Sequence, residues 1–268
     1  MTTVDVDEIA ALIRDVADEE ILPRFRRLQA EDIQDKGGGD PVTEADLATE
    51  RRLTQELQRL TPGSVVVGEE AVHENPKLLS ALDSDDLVWV LDPLDGTKNF
   101  TEGKDLFVTM LALVQDGETI ASWIYRPTTG DMAYAEIDEG AYLNFRRLRT
   151  VSSRPTNEMR ASVHTKYITG PLKAKVEAAV GAFKSNDALY CAGLVYLNLA
   201  SGLMDCALYW RTNVWDHAPG ALILSEAGGR VAYVEDGHQY GPSSTEKLGI
   251  VAVANPNMWD AVTQQLMR

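Results

Sequence analysis

The sequence predicts a mixed α/β chain of the α+β type, built in its N-terminal half on a mostly antiparallel sheet. Three observations predict it. Helical apolar periodicity opens and closes the chain, around Ile9–Ala17 and Met258–Leu266. Strand-like runs follow one another without an intervening helix from Leu106 to Leu143. Asp116-Gly117, between two of those runs, is a hairpin signal, and consecutive hairpins pair antiparallel. The chain also lacks G-x-G-x-x-G and a P-loop, which separates it from doubly wound nucleotide-binding proteins.

Taken in order, Asp5 to about Gln29 reads as a helix carrying Ile9, Leu12, Ile13, Val16 and Ala17 on one face, kinked or split at Pro23. Gln34 to Pro41, with Lys36 before a glycine run, has loop composition. Thr43 is placed to cap a second helix with Asp46 in its first turn and Leu47, Leu53, Leu57 and Leu60 on its apolar face. Val65-Val66-Val67 reads as a buried strand running into Gly68-Glu69-Glu70, and Leu87–Leu91 as another. Pro93 has no N–H to donate, so this second strand is expected to end about there. Strands follow at 106–114, 119–125, 132–136 and 141–143. A second half restarts near Arg160. It has strands at 161–163, 205–209 and 248–254, and helices at 171–183, 193–200, 215–227 and 258–266. The chain reads as one domain, 1–268, with halves meeting near residue 153.

Composition narrows the function. With 25 basic and 41 acidic side chains the net charge is −16, which argues against nucleic acid and anionic membrane as partners. No apolar run approaches a membrane span, and the acidic N-terminus has no apolar leader, so a cytoplasmic protein is expected. Cys191 and Cys206 show no metal or redox spacing and read as free thiols.

The chemistry concentrates in Leu87-Val88-Trp89-Val90-Leu91-Asp92-Pro93-Leu94-Asp95-Gly96-Thr97-Lys98-Asn99-Phe100. Asp92 and Asp95 flank a break at a strand end, where paired carboxylates repel unless a hard cation lies between them. Gly96 lets an anion approach the backbone, and a helix begun at Thr97 would aim free N–H groups at the same spot. Taken alone, each piece has a plainer reading. Asp92–Thr97 and Glu69-Glu70 are also acidic turns, Asp216 is also a helix cap, and Thr43 with Asp46 is also a helix start.

Three motifs in order change the balance. Val67-Gly68-Glu69-Glu70, the stretch from Trp89 to Phe100, and Trp215-Asp216-His217-Ala218-Pro219-Gly220 with Glu226-Ala227-Gly228-Gly229 resemble the inositol monophosphatase family along the whole chain. The resemblance implies a layered αβαβα sandwich, commonly a homodimer. It also implies a lithium-sensitive phosphatase with two or three Mg²⁺ ions per site, acting on a small phosphorylated metabolite. Carried over by position, Glu69, Asp92, Asp95, Asp216 and the Leu94 carbonyl are metal ligands. Gly96 and Thr97 hold phosphate, and Asp46 with Thr97 orients the attacking water, Glu69 completing the catalytic group. Lys36 matches a basic residue near the metals, and His217 abuts Asp216. The resemblance is weaker where the alcohol binds. Tyr209, followed by Trp210 and Arg211, stands where inositol-specific members have a glutamate, and Ala192 lies in the region of their Gly-Thr-Ala stretch. Asp95, Asp216, Ala192, Tyr209 and Arg211 are therefore the expected substrate contacts. The substrate is expected to be an inositol-phosphate-like or other sugar phosphate. The alternatives are histidinol phosphate, fructose 1,6-bisphosphate or a 3′-phosphoadenosine nucleotide. A regulatory binding protein with incidental phosphatase activity is the competing class.

Overall fold

The structure is a computed structural model that describes residues 4–37, 40–244 and 247–267. Two glycines of the expected loop, Gly38 and Gly39, lie outside the described residues. The strands are β1 (Ile33–Asp35), β2 (Pro41–Thr43), β3 (Val65–Gly68), β4 (Val88–Asp95), β5 (Val108–Gln115), β6 (Glu118–Arg126), β7 (Asp131–Glu136), β8 (Gly140–Leu143), β9 (Arg146–Arg147), β10 (Arg160–Val163), β11 (Ser185–Asn186), β12 (Cys206–Tyr209), β13 (Arg230–Tyr233) and β14 (Ile250–Val253). The α-helices are α1 (Val6–Val16), α2 (Glu44–Leu60), α3 (Glu69–Glu74), α4 (Thr97–Thr101), α5 (Gly170–Ala179), α6 (Ala192–Ala200), α7 (Val214–Glu226) and α8 (Trp259–Met267).

Strands β3 to β9 form a seven-stranded sheet in sequence order, parallel at β3–β4 and antiparallel elsewhere. The expected hairpin is its β5–β6 turn. Asp116 and Gly117 have φ of 52° and 74°, the two positive values a type I′ turn requires. The second sheet is mixed, in the order β11-β10-β12-β14-β13. Its parallel pairs are β10–β11 and β10–β12.

Alternation along the strands sets the layers. Trp89, Leu91, Leu111, Leu113 and Trp123 share one core with Ile9, Ile13, Leu53 and Leu57 of α1 and α2. Their neighbours Val88, Val90, Ala112 and Val114 face Val214, Trp215 and Ala218 of α7. Both sheet faces are therefore buried, which is why β4 and β5 read as unbroken apolar runs. Helices α6 and α7 lie between the sheets, and α8 packs on β14 with α5 beside it. A Cβ at Gly220 of α7 would lie 2.1 Å from the Tyr196 ring of α6, so glycine permits the close approach of these two helices.

Several expectations change. Helix α1 ends at Val16 and continues as one π-turn, Ala17–Ile21, closed by Leu22 N–H donating to the Ala17 carbonyl at 3.0 Å. The widened turn comes immediately before Pro23, whose ring would otherwise clash with the preceding turn. Strand β4 does not end at Pro93 but runs to Asp95. The register against β5 slips between Asp92 and Asp95, and this bulge is where a proline is tolerated in a sheet. Glu69 and Glu70, for which an acidic turn was the plainer reading, open helix α3. Gln34, Asp35 and Pro41, expected in a loop, belong to the β1–β2 ribbon. Among the described residues, no helix is long and apolar enough to cross a membrane.

Candidate active site

The bulge at the end of β4 shapes the site. Asp92 Oδ1 accepts the Leu94 N–H at 3.0 Å, and the Pro93 carbonyl accepts the Thr109 hydroxyl at 3.0 Å. Gly96 then turns the chain with φ 96°, and a Cβ there would lie 2.6 Å from the Leu106 carbonyl oxygen. No other residue fits that turn without strain. Helix α4 starts at the next residue. Thr97 Oγ1 lies 2.9 Å from Asp46 Oδ1 and 3.0 Å from the Leu94 carbonyl, its single proton shared between two acceptors.

Asp46 comes from the first turn of α2. The predicted Thr43 cap is a capping box, in which Thr43 caps the helix and Asp46 accepts the Thr43 N–H at 2.8 Å. Asp46 is buried behind Thr97 and does not line the cavity. Burial pushes its carboxyl up to about 6, against the hydrogen bonds from Thr43 and Thr97.

Asp216 arrives from the first turn of α7, with Asn213 Nδ2 donating to it at 3.1 Å. Asp92, Asp95 and Asp216 each turn an oxygen inward so that the three lie within 4.8 Å of one another. Asp95 Oδ2 also accepts the Gly193 N–H of α6 at 2.6 Å and the Cys191 thiol at 3.2 Å. Glu69 lines the same cavity, and Lys36 bridges it to Glu70 with two 2.7 Å ion pairs. Burial first raises the carboxyls of Glu69, Asp92, Asp95 and Asp216 above their usual range, with repulsion from neighbouring carboxylates adding to it: from within the cluster for the first three, from Asp40 for Asp216. Burial works against the Lys36 ammonium, but its two carboxylate partners outweigh it and keep it charged. A cluster of converging oxygens with excess negative charge and no histidine or thiolate ligand suits a hard divalent cation.

The cavity, of about 180 Å³, gathers every predicted site residue except Asp46. Ala192, Tyr209, Trp210 and Arg211 also line it. Tyr209 is buried at the end of β12, its ring stacked parallel to those of Tyr196 and His164, and among the described residues its hydroxyl has no hydrogen-bond partner. His217 is buried, with Nδ1 3.1 Å from the Tyr196 hydroxyl and Nε2 3.0 Å from the Arg211 carbonyl. Both ring nitrogens are engaged and burial pushes it down to about 4, so it braces α6 against the segment after β12.

The family model for the inositol monophosphatase family matches residues 3–267. The chain belongs to the inositol monophosphatase family. Its members are phosphomonoesterases, so the chain is a hydrolase of that class. A "fructose-1,6-bisphosphatase/inositol-1-monophosphatase" of Thermotoga maritima is 31% identical over 209 residues, 76% of this chain and 75% of the relative. An inositol-1-monophosphatase of Rhizobium meliloti is 29% identical over 250 residues, 91% and 89% of the two chains. The solved Thermotoga maritima IMPase superposes with a TM-score of 0.82 at 26% identity, covering 97% of this chain and 96% of its own. The extragenic suppressor protein suhB of Bartonella henselae gives 0.81 at 26% identity, covering 98% and 97%. The αβαβα expectation therefore holds for this family member.

Two groups of residues at the site were not among those expected from the sequence. Asp40, His164, Lys166, Tyr167 and Tyr190 line the cavity from loops and strand ends. Glu50, one helical turn beyond Asp46 in α2, is buried and accepts the Glu70 and Ala71 N–H groups at 2.8 Å each. It caps α3 from another helix, and so sets the direction in which Glu69 leaves the backbone. The four-residue spacing of Asp46 and Glu50 was the available clue, since it puts both on one helix face. Glu50→Ala is expected to lower stability by roughly 1–3 kcal/mol, because two buried N–H groups lose their acceptor. Urea denaturation checks it, and an unchanged midpoint would remove the capping role.

Proposed function

We propose that the chain hydrolyses small sugar-type phosphate monoesters in a Mg²⁺-dependent reaction with water as nucleophile. The observation that carries this is the convergence of Asp92, Asp95 and Asp216 within 4.8 Å at the cavity floor, with Glu69 beside them. These side chains and the Leu94 carbonyl would hold the cation, which supplies charge neutralisation and a water of lowered pKa. The protein does the rest by position. Thr97 donates its proton to Asp46, and its lone pair then accepts from a water and aims that water at the phosphorus. Burial keeps Asp46 out of bulk solvent, so its hydrogen bond holds the Thr97 hydroxyl oriented at the cavity edge. The backbone at Gly96 and Thr97 leaves room for phosphate oxygens because no side chain projects from Gly96.

The pattern of the C-terminal wall supports an alcohol other than inositol as the preferred leaving group, because Tyr209 cannot accept from two hydroxyls as a carboxylate does. The reading extends to a cytoplasmic homodimer, in keeping with the family resemblance and with Cys191 and Cys206 both free and buried.

The test is phosphate release from a panel of metabolites, with Mg²⁺ and with chelator, adding LiCl or KCl at equal ionic strength. The expected result is Mg²⁺-dependent release that lithium suppresses and potassium does not. Release that persists in chelator, or no release across the panel, would sink the reading.

A further inference from the structure

The turn between β8 and β9 holds a residue that its backbone disfavours. It joins Leu143 to Arg146 through Asn144 and Phe145, with φ of 49° and 65°. Two positive values make a type I′ turn, which suits Asn-Gly because a larger side chain is strained at the second position. Asn144 fits: its side chain accepts the Met132 N–H at 3.0 Å and donates to Asp131 at 2.7 Å. Phe145 does not fit, and it gains no burial in exchange. At 70% exposure it is the most exposed large apolar side chain among the described residues. Its ring lies 6.5 Å from that of Tyr134, which stacks on Tyr142 with centroids 5.3 Å apart. Arg147 Cζ sits 5.9 Å from the Tyr142 ring, and its guanidinium lies over Gly140, where a Cβ would come within 2.7 Å of Nη2. Arg146 and Arg149 are exposed on either side. Among the described residues none of these three arginines pairs with a carboxylate, in a chain of net charge −16, whereas Arg126, Arg154 and Arg160 all do.

The backbone adds an open edge. Strand β9 is the last of the seven-stranded sheet and pairs with β8 alone. Leu148 N–H donates to the Ala141 carbonyl at 2.7 Å, so in the alternating antiparallel ladder Arg147 turns its own N–H and C=O away from β8. The edge is anchored from behind. Glu226, at the end of α7, accepts the Asp138 and Gly140 N–H groups at 3.0 and 2.8 Å, and Thr150 N–H donates to the Ala227 carbonyl. A strained, exposed aromatic on a firm support serves recognition better than folding. We propose that the β9 edge, with Phe145, Tyr134, Tyr142 and Arg147, docks an extended acidic segment of another protein, which adds a strand beside β9. Charge selects the occupant. A two-fold contact with a second copy would set these arginines against themselves, so they keep like edges apart. An acidic strand meets no such repulsion. A nucleic acid would leave the main-chain groups of the edge unpaired and would have to approach a strongly acidic protein. Strand β4, which carries Asp92 and Asp95, lies five strands away, roughly 24 Å at the usual strand spacing, so a docked segment leaves the active site open.

The probe is a fluorescein-labelled peptide of about ten residues that alternates glutamate with valine around one central phenylalanine. The same peptide N-methylated at alternate residues cannot complete the ladder, and a single-stranded oligouridylate of similar length represents nucleic acid. Anisotropy titrations use wild type, Phe145→Gly and Arg147→Glu, each accompanied by a thermal melt and a phosphate-release assay. The acidic peptide is expected to bind wild type saturably, and to lose about tenfold or more in affinity with either variant and on N-methylation. Phe145→Gly should melt no lower than wild type, and up to about 3 °C higher, because glycine relieves the turn. Phosphate release should match wild type in both variants, since neither residue reaches the active site. Absence of saturable binding up to about 1 mM overturns the proposal. So does equal binding of the N-methylated peptide, which would show that the edge is not used. Tighter binding of the oligouridylate would make this a nucleic-acid surface instead. A melting temperature lowered by more than about 3 °C in Phe145→Gly would give Phe145 a structural role and overturn its place as an anchor.

Discussion

In Asp95→Asn, Mg²⁺-dependent phosphate release falls by more than about a hundredfold while the protein stays folded. That loss exceeds the tenfold to hundredfold typical of residues one step removed from a metal. Asp95 does two things. One oxygen accepts from Gly193 and Cys191 and ties the end of β4 to α6, and the side chain adds a charge to the cluster with Asp92 and Asp216. Asparagine keeps the volume and one carbonyl oxygen, so the Gly193 contact has an acceptor. It removes the charge, so cation affinity falls. Without metal the variant should melt at the same temperature as wild type or higher, because one repelling charge has gone from a buried cluster. A phosphate-release assay paired with a thermal melt separates the two effects. Folded Asp95→Asn protein with unchanged turnover and Mg²⁺ dependence would falsify the site.

The second large effect is on stability. Mg²⁺ at about a hundredfold over its dissociation constant should raise the melting temperature by roughly 5–10 °C at pH 8 and much less at pH 5.5. The sign follows from the carboxyls. Asp95 and Asp216 are pushed up to about 6 and Glu69 to about 8. Burial leads each shift, and for Asp95 and Glu69 the charge of Asp216 adds to it. Between the ordinary carboxylate range near about 4 and these values, the folded protein binds more protons than the unfolded chain, so stability without metal declines as pH rises. A cation that replaces those protons restores it, and does so most where the carboxylates are ionised. Melts in chelator and in Mg²⁺ across pH 5 to 8.5 measure both slopes. A gain on Mg²⁺ addition that is independent of pH would show that the cation binds away from these groups.

Short-range interactions along the chain set the local pieces of the fold. The Thr43–Asp46 capping box, the Asp116-Gly117 hairpin and the apolar run into Asp92 and Asp95 are each set by neighbours a few residues apart. Such interactions leave a period or a fixed spacing that can be read directly. The three acidic motifs in order were enough to identify the family, and with it the expectation that Glu69 and Asp216 join the β4 pair.

Tertiary structure decided what has no period. Strand β11 is two residues long and pairs only because β10 offers an edge. Strand β4 passes Pro93 because a bulge against β5 absorbs the missing donor, which depends on the partner strand rather than on the motif. Glu50 looked like one more polar helix residue until α3 was brought against it. Asp40, the adjacent Lys166 and Tyr167, and Arg211 come from three separate segments with nothing in their spacing to connect them. They meet because α7 and the ends of β10 and β12 converge on the opening beside β4, and a side chain's charge acts through space on whatever the fold brings within a few ångströms. The metal and phosphate end was therefore legible in the chain, and the alcohol end became legible only in the folded molecule.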